Sequence, residues 1–504
     1  MNIALCFSGG GYRAAAYHLG VLTYLNRIKL LPQVQIISTV SGGTLTGLSY
    51  ARSLKKKQKF EEFYQNFERF LASVNLVKKS FEKIGHPSTG ALGFQNLITS
   101  IADVYDEHLF SGDRFGMFWE PPTIPLQEMI FNATEFRTGI DFRFQKSRSK
   151  KAKIGNGNVE ITREEAQKIR LADIAAASSC FPGGFEPLAF PLDFRWPDNI
   201  IPPSLQQKFA KALPLMDGGI YDNQGIAAAK LAIDRRKKKI GLFIISDTDT
   251  KRDDIFPYPA PMKSWSLSLK TFNNLLLTFI GLSIIGSLAL IGTIVYTIQN
   301  SDSWVPTLLI CGFPAVLLAV LAYLLFWARR KVIKEVLGRI PMIHLVAAWN
   351  DIRHLTINQV IEMAALRVKS LFALASSVFM KRIRGLIYTQ VYSDEHYEGK
   401  RVSNLIYELD GTKDIKVPWL RPSEKIQEVT KVAASTPTTL WFGPGMDMSK
   451  LIACGEFSIC YNLIDYIIRR YGHVKSEYPA WVRQLYDRLV DDWKKFQVNP
   501  MMME

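Results

Sequence analysis

Two glycine-rich turns, each closing a short apolar run, constrain this chain more than any other feature. Ile3-Ala4-Leu5-Cys6-Phe7 runs into Ser8-Gly9-Gly10-Gly11-Tyr12-Arg13, and Ile36-Ile37-Ser38-Thr39-Val40 ends at Ser41-Gly42-Gly43. Such runs read as buried strands, with a helix-like stretch between them. A glycine turn at a helix start presents bare backbone N–H groups to an anion and lets the anion come close. A serine between a strand and a small-residue turn stands where a strand–turn–helix elbow holds its nucleophile. A cradle for an oxyanion beside a nucleophile is two thirds of an acyl-transfer site. The missing base is offered by Asp217, in Leu215-Met216-Asp217-Gly218-Gly219-Ile220-Tyr221-Asp222-Asn223.

Taken together, Gly9-Gly10-Gly11-Tyr12-Arg13, Thr39-Val40-Ser41-Gly42-Gly43 and Asp217-Gly218-Gly219 resemble the patatin-like phospholipase family. Asn132-Ala133-Thr134 to Phe144 and the stretch from Ala176 to Pro187 are similar to that family too, and the likeness covers roughly residues 1 to 250. It implies an α/β, patatin-like three-layer fold with a mostly parallel central sheet. It also implies a Ser–Asp dyad, with Ser41 as nucleophile and Asp217 as base, and neither metal nor cofactor. The N–H groups of Gly10 and Gly11 would form the oxyanion hole, with Gly9 and Arg13 in support. The family's elbow usually reads Gly-x-Ser-x-Gly, and here Thr39 replaces the first glycine. A β-branched Thr39 suits the strand, while Gly42 and Gly43 leave room on the helix side, so the turn is expected to form.

The middle of the chain carries something else. Two runs without charge, about 274–298 and 305–327, are each long enough to cross a hydrocarbon core as a helix. Tyr296, Trp304, Tyr323 and Trp327 fall near their ends, and Gly281, Ser283, Gly286, Ser287 and Gly292 would let two helices approach closely. The link at 299–303 lacks Lys and Arg, whereas Lys263, Lys270, Arg329, Arg330, Lys331 and Lys334 flank the pair. Basic flanks stay in the cytoplasm, which predicts an integral membrane protein of two spans with a cytoplasmic catalytic domain, in the inner membrane if the source is bacterial.

The expected organisation follows. Residues 1–255 form the first part of the catalytic domain, ending in the strand Ile240 to Ser246. Residues 256–335 hold a Pro-rich linker and the hairpin, 336–475 the second part of the catalytic domain, and 476–504 a C-terminal tail. A long apolar-basic helical pattern covers Leu355 to Tyr388 and includes Arg367, Lys369, Lys381, Arg382 and Arg384. Five scattered cysteines without a CxxC spacing argue against a metal site or a disulfide framework and for a reducing compartment.

The net charge of +16 draws a membrane-tethered chain to anionic lipid headgroups. Nucleic acid is not an expected partner, because no binding module is present and the basic runs are not interleaved with aromatics. The expected function is a membrane-anchored lipid acyl hydrolase that cleaves carboxylic esters of phospholipid or another acyl lipid through an acyl-serine. The alternatives are a catalytically silent membrane scaffold or lipid-binding relative, and an acyltransferase or thioesterase on the same dyad. A Ser–Asp–His triad completed by His344, His354, His396 or His473 is a further option, though its elbow normally follows several strands. His18, in the first helix, is expected to be structural.

Overall fold

The computed structural model describes residues 1–236, 239–249, 256, 258, 267–300, 304–337 and 353–502. Most of the Pro-rich linker, the loop residues 301–303 with Asp302, and Lys238, Lys263 and His344 lie outside the described residues. The chain divides into two compact units, Met1–Ile255 with Ala375–Glu504, and Phe256–Leu374.

The first unit is built on a ten-stranded sheet. Its strands are β1 (Ile3–Phe7), β2 (Val34–Val40), β3 (Glu128–Glu135), β4 (Ile140–Lys146), β5 (Ile154–Gly155), β6 (Glu160–Ile161), β7 (Leu188–Phe190), β8 (Leu213–Asp217), β9 (Leu242–Asp247) and β10 (Arg401–Leu405). The order is β10-β9-β1-β2-β3-β4-β5-β6, with β8 on β3 and β7 on β8. Strands β10, β9, β1, β2 and β3 are parallel, while β4 to β8 pair antiparallel at one flank. The helices that matter here are α1 (Gly11–Arg27), α2 (Gly42–Lys55), α3 (Leu171–Ser179), α4 (Ile226–Asp234), α5 (Leu269–Asn300), α6 (Val305–Leu337), α7 (Ile357–Ala373), α8 (Phe379–Tyr392), α9 (Met448–Tyr471) and α10 (Ala480–Val498).

Alternation along β1 shows the layers. Ile3, Leu5 and Phe7 join the large core under α1, α2 and α9, while Ala4 and Cys6 join a smaller core with Ile226 and Ala229 of α4 and Ile387 and Val391 of α8. A strand sends successive side chains to opposite faces, so apolar residues at every position demand helices on both sides.

Helix α1 carries the first glycine turn, and its fixed partner is α9. A Cβ on Gly20 would stand 1.9 Å from the Ile452 carbonyl oxygen, and one on Gly455 would stand 2.1 Å from that of Tyr17. The two backbones touch through these glycines, and Tyr17 Oη and Ser458 Oγ share a hydrogen bond of 2.8 Å beside them. The C-terminal segment joins the same core. Leu489, Trp493 and Phe496 of α10 are fully buried, and Asp492 accepts hydrogen bonds from Arg27 and Tyr24. Residues 476–504, separated as a tail by sequence, therefore share the compact unit of the sheet.

The second unit holds α5, α6 and α7, so it extends to Leu374 where the sequence placed its limit at 335. Among the described residues, three helices are long and apolar enough to cross a membrane: Leu269–Asn300, Val305–Lys331 and Met448–Tyr471. Of the most apolar 18-residue stretch of each, 94% is buried in the third, against only 17% and 11% in the first two. Ser283 and Ser287 of α5 are buried against α6, and Ser287 Oγ donates to the Ala315 carbonyl at 2.9 Å. A Cβ on Gly286 would meet Leu318 at 3.2 Å, but Gly281 and Gly292 face open space and do not bring the helices together.

The α1–α9 crossing yields a first prediction. Gly20→Ala drives a methyl into backbone that cannot swing away, and overpacking of this kind costs about 1–3 kcal/mol. Thermal unfolding in detergent should show a clear drop in Tm for Gly20→Ala, and none for Gly157→Ala, whose Cβ meets nothing within 4 Å. Equal melting of the two variants would contradict this crossing.

Candidate active site

Strands β2 and β8 run in opposite directions along one edge of β3. Val40, the last residue of β2, is paired with Asn132, and Asp217, the last residue of β8, with the next residue, Ala133. The two strands therefore end head to head, and their C-termini bring Ser41 and Asp217 together. The Ser41 side chain lies near enough to the Asp217 carboxyl to favour its charged form.

Ser41 has φ 51° and ψ −122°, a conformation that residues with a Cβ seldom adopt, and it immediately precedes α2. Its neighbours have no room for side chains. A Cβ on Gly42 would lie 2.0 Å from Gly11 O, and one on Gly43 would lie 2.6 Å from Ser8 O. The first glycine turn thus passes directly over the start of α2, and a Cβ on Gly9 would lie 3.0 Å from Ser41 Cβ. Gly10 and Gly11 have φ of 145° and 59°, which only glycine adopts easily. The flanking amides are committed: Gly9 N–H to Asn223 O at 3.0 Å and Tyr12 N–H to Thr439 O at 2.8 Å. The N–H groups of Gly10 and Gly11 have no backbone acceptor among the described residues. Thr248 braces the turn by donating from its hydroxyl to Gly9 O at 3.0 Å.

Thr39 costs the elbow nothing, for a local reason. Its methyl packs against Gly47, where a Cβ would approach to 2.6 Å. Its hydroxyl enters a closed ring of hydrogen bonds. Ser178 Oγ donates to Asn132 O at 2.6 Å, so Thr44 must donate to Ser178 at 2.8 Å and Thr39 to Thr44 at 3.0 Å. Asn132 Nδ2 closes the ring on Thr39 O at 3.0 Å. Ser178 Oγ also accepts the Ser41 N–H at 3.0 Å, which ties the strained residue to the ring. The motifs around Asn132 and Ser178 stand out in the sequence, but no spacing there gives these two side chains a role, nor Thr44.

Asp217 is fully enclosed. Burial raises its carboxyl from 3.8 to about 6, against the pull of the Gly219 N–H and the Ser41 hydroxyl. The Gly219 amide donates to Oδ1 at 2.7 Å. Arg13 is buried as well, and burial lowers its guanidinium to about 10. It donates to Thr436 O at 3.0 Å and so fastens α1 to the segment whose Thr439 holds Tyr12. Arg384, read by sequence as part of a basic helix, instead lies buried against Asp247 at 3.1 Å and pairs with Asp249.

No imidazole hydrogen-bonds to Ser41 or Asp217 among the described residues. His354, His396 and His473 are exposed. His18 donates from Nε2 to Ser8 O at 3.1 Å and accepts from Ser246 at Nδ1, and burial lowers its pKa to about 3. It is a neutral brace beneath the glycine turn.

Residues 5–230 match the family model described as patatin-like phospholipase. This segment is a patatin-like phospholipase domain. The family hydrolyses lipid esters. Among solved structures, human GIVD cytosolic phospholipase A2 shares 14% identity over 49% of this chain and 43% of its own, with a TM-score of 0.30. VipD from Legionella pneumophila shares 13% over 58% of this chain and 55% of its own, with a TM-score of 0.24. The chain thus spans about half the length of these structures. No curated protein sequence matches it.

The raised Asp217 pKa has a stability consequence with a definite sign. The folded state holds the proton more tightly, so the fold loses stability as pH rises from about 4 through 6. Asp217→Asn removes that loss, and a rise of two units corresponds to about 3 kcal/mol. The Tm of the Asn variant relative to wild type should therefore climb between pH 4 and pH 7. A flat difference would show that Asp217 is not buried as a destabilised carboxylate.

Proposed function

We propose that the patatin-like domain is a lipid acyl hydrolase in which Ser41 is the nucleophile and Asp217 its base. The observation that carries this reading is Ser41 beside a buried Asp217 carboxyl that burial raises to about 6, next to the Gly10 and Gly11 amides, which have no backbone acceptor among the described residues. Ser41 Oγ attacks the ester carbonyl and its proton passes to Asp217. The Gly10 and Gly11 N–H groups receive the developing oxyanion, where each donor is worth about 3–4 kcal/mol. As the C–O bond breaks, Asp217 returns the proton to the departing alcohol, leaving an acyl-serine. Asp217 then takes a proton from water, whose oxygen attacks the acyl carbonyl, and gives that proton to Ser41 as it leaves. A carboxyl raised to about 6 is a better base than an ordinary aspartate and is still ionised at neutral pH.

Ser41→Ala and Asp217→Asn should each lower kcat/KM for a short soluble ester by several orders of magnitude while the protein stays folded. Replacing His354, His396 or His473 by Gln should leave the rate within several-fold. In the wild type, kcat/KM should rise with pH through an apparent pKa near 6, as Asp217 ionises. Near-normal turnover in either dyad variant would refute the assignment.

We infer further that α5 and α6 cross the membrane as a hairpin, with the catalytic domain on the cytoplasmic side. Their outward-facing surface is apolar, with Leu282, Ile285, Leu288, Leu309, Ile310 and Phe313 all more than 60% exposed. An interface with water would not tolerate such a surface. Lys270, Arg329 and Arg330 gather at one end, as the cytoplasmic flank requires. In intact cells of a Cys311→Ala background, a cysteine at Asn300 should react with an impermeant thiol reagent and one at Lys270 should not. The opposite pattern would reverse the orientation.

A further inference from the structure

Two basic runs lie far apart in the sequence, one from Lys146 to Lys153 and one from Arg235 to Lys239. The sheet unit brings them to one place. Arg143 of β4 pairs across the ladder with Gly155 of β5, and Arg235 follows directly on the end of α4 at Asp234. Among these elements lies a surface cavity of about 650 Å³, lined by Arg143, Lys151, Lys153, Asn156 and Arg235, with Asp234 as the acid in its wall.

The donors here outnumber the acceptors that the protein gives them. Asn156 is only 1% exposed, and the turn after β5 fixes its amide, because Oδ1 accepts the N–H of Asn158 at 2.8 Å and of Val159 at 2.7 Å. Its Nδ2 therefore carries the hydrogens, and it has no acceptor among the described residues. Arg235 Nε is buried without an acceptor as well, although Nη2 donates to Gln145 Oε1 at 3.1 Å and lies 3.8 Å from Glu128 Oε2. Arg143 Nε lies 3.2 Å from Asp141 Oδ2 without the alignment of a hydrogen bond. Burial lowers the Arg235 pKa, against the pull of Glu128, and the charge of Arg143 lowers it further, so the two guanidiniums repel. Lys153 Nζ stands 3.2 Å from Glu160 Oε2, whereas Lys151 is exposed and has no ion pair among the described residues. Native folds seldom leave buried donors orphaned, and like charges gathered around them call for an anion.

We propose that this cavity binds a phosphomonoester group, with Asn156 Nδ2 and the Nε–H groups of Arg143 and Arg235 as donors and Lys151 as counter-charge. A phosphomonoester presents three acceptor oxygens and close to two negative charges at neutral pH, which matches several orphaned donors set between repelling guanidiniums. A carboxylate offers two oxygens and a single charge, and a phosphodiester has only one charge. The cavity has room for more than a bare phosphate ion, so the group arrives on a larger molecule, either a soluble metabolite or a lipid headgroup. Nothing in this site depends on Ser41 or Asp217, and it stands whether or not they form a dyad.

The test is a calorimetric titration of the full chain in neutral detergent at neutral pH. The probes are glycerol 3-phosphate and ether-linked phosphatidic acid, with ether-linked phosphatidylglycerol as the phosphodiester control. The ether lipids carry no carboxylic ester, so none is consumed. A phosphomonoester should saturate one site per chain and bind several-fold more tightly than phosphatidylglycerol. Asn156→Asp keeps the acceptor that the turn needs and replaces the donor by a negative charge, so it should weaken binding by about tenfold or more. Lys151→Ala removes an exposed side chain and should weaken binding several-fold without changing Tm. Saturation by glycerol 3-phosphate would identify a soluble phosphate compound as the source, and saturation by phosphatidic acid alone a lipid headgroup. The phosphomonoester site stands in both cases. It is overturned if neither probe saturates, if phosphatidylglycerol binds as tightly, or if affinity is unchanged in either variant that melts like the wild type. Should Asn156→Asp melt lower, Lys151→Ala decides.

Discussion

The structure of the site depends on a collision of strand ends. Strand β3 is shared by β2, which runs parallel to it, and β8, which runs against it, and they meet over Asn132 and Ala133. No loop has to reach across the molecule to bring Ser41 to Asp217, because backbone pairing already does so. Asn132 sits under the junction and is bonded to both sides of it. Its amide holds Thr39 O and its carbonyl takes the Ser178 hydroxyl. The glycines follow from the same crowding, since the first turn must cross the start of α2 with no Cβ between them.

Two unfavourable features are held in place at this junction. Ser41 keeps a positive φ, and Asp217 keeps a carboxylate out of water. Either would relax if its surroundings were soft. The Thr39–Thr44–Ser178–Asn132 ring resists at Ser41, and the Gly219 amide together with the Ser41 hydroxyl partly compensates Asp217. Behind the first turn, the α1–α9 glycine crossing and neutral His18 hold the cradle from the far side. The strain is thus concentrated on the two residues assigned to chemistry.

Much of this is legible in the sequence where the signal is local. The apolar runs of β1 and β2, the glycine turns and the Asp-Gly-Gly turn each write their geometry into adjacent residues. The effect of Thr39 is not local, because it depends on Gly47 one helical turn inside α2 and on a ring drawn from three other segments. Arg384 reads as one more surface cation, and only the fold shows its burial against Asp247. The end of the second unit is hidden for a similar reason, since α7 is tied by backbone hydrogen bonds to α5 and not by any side-chain pattern. Small residues in α5 announce a close helix pair, but which of them face α6 is set by the crossing itself. Ser283, Gly286 and Ser287 do, while Gly281 and Gly292 do not.

We propose that Asp217 alone activates Ser41, and covalent labelling probes that pair. The purified protein in detergent is treated with a serine-directed fluorophosphonate, digested, and mapped by mass spectrometry. One adduct is expected, on the peptide containing Ser41, that forms faster as pH rises through about 6 and is lost in Asp217→Asn. Labelling of a different serine, or undiminished labelling of Ser41 in the Asn variant, would contradict it.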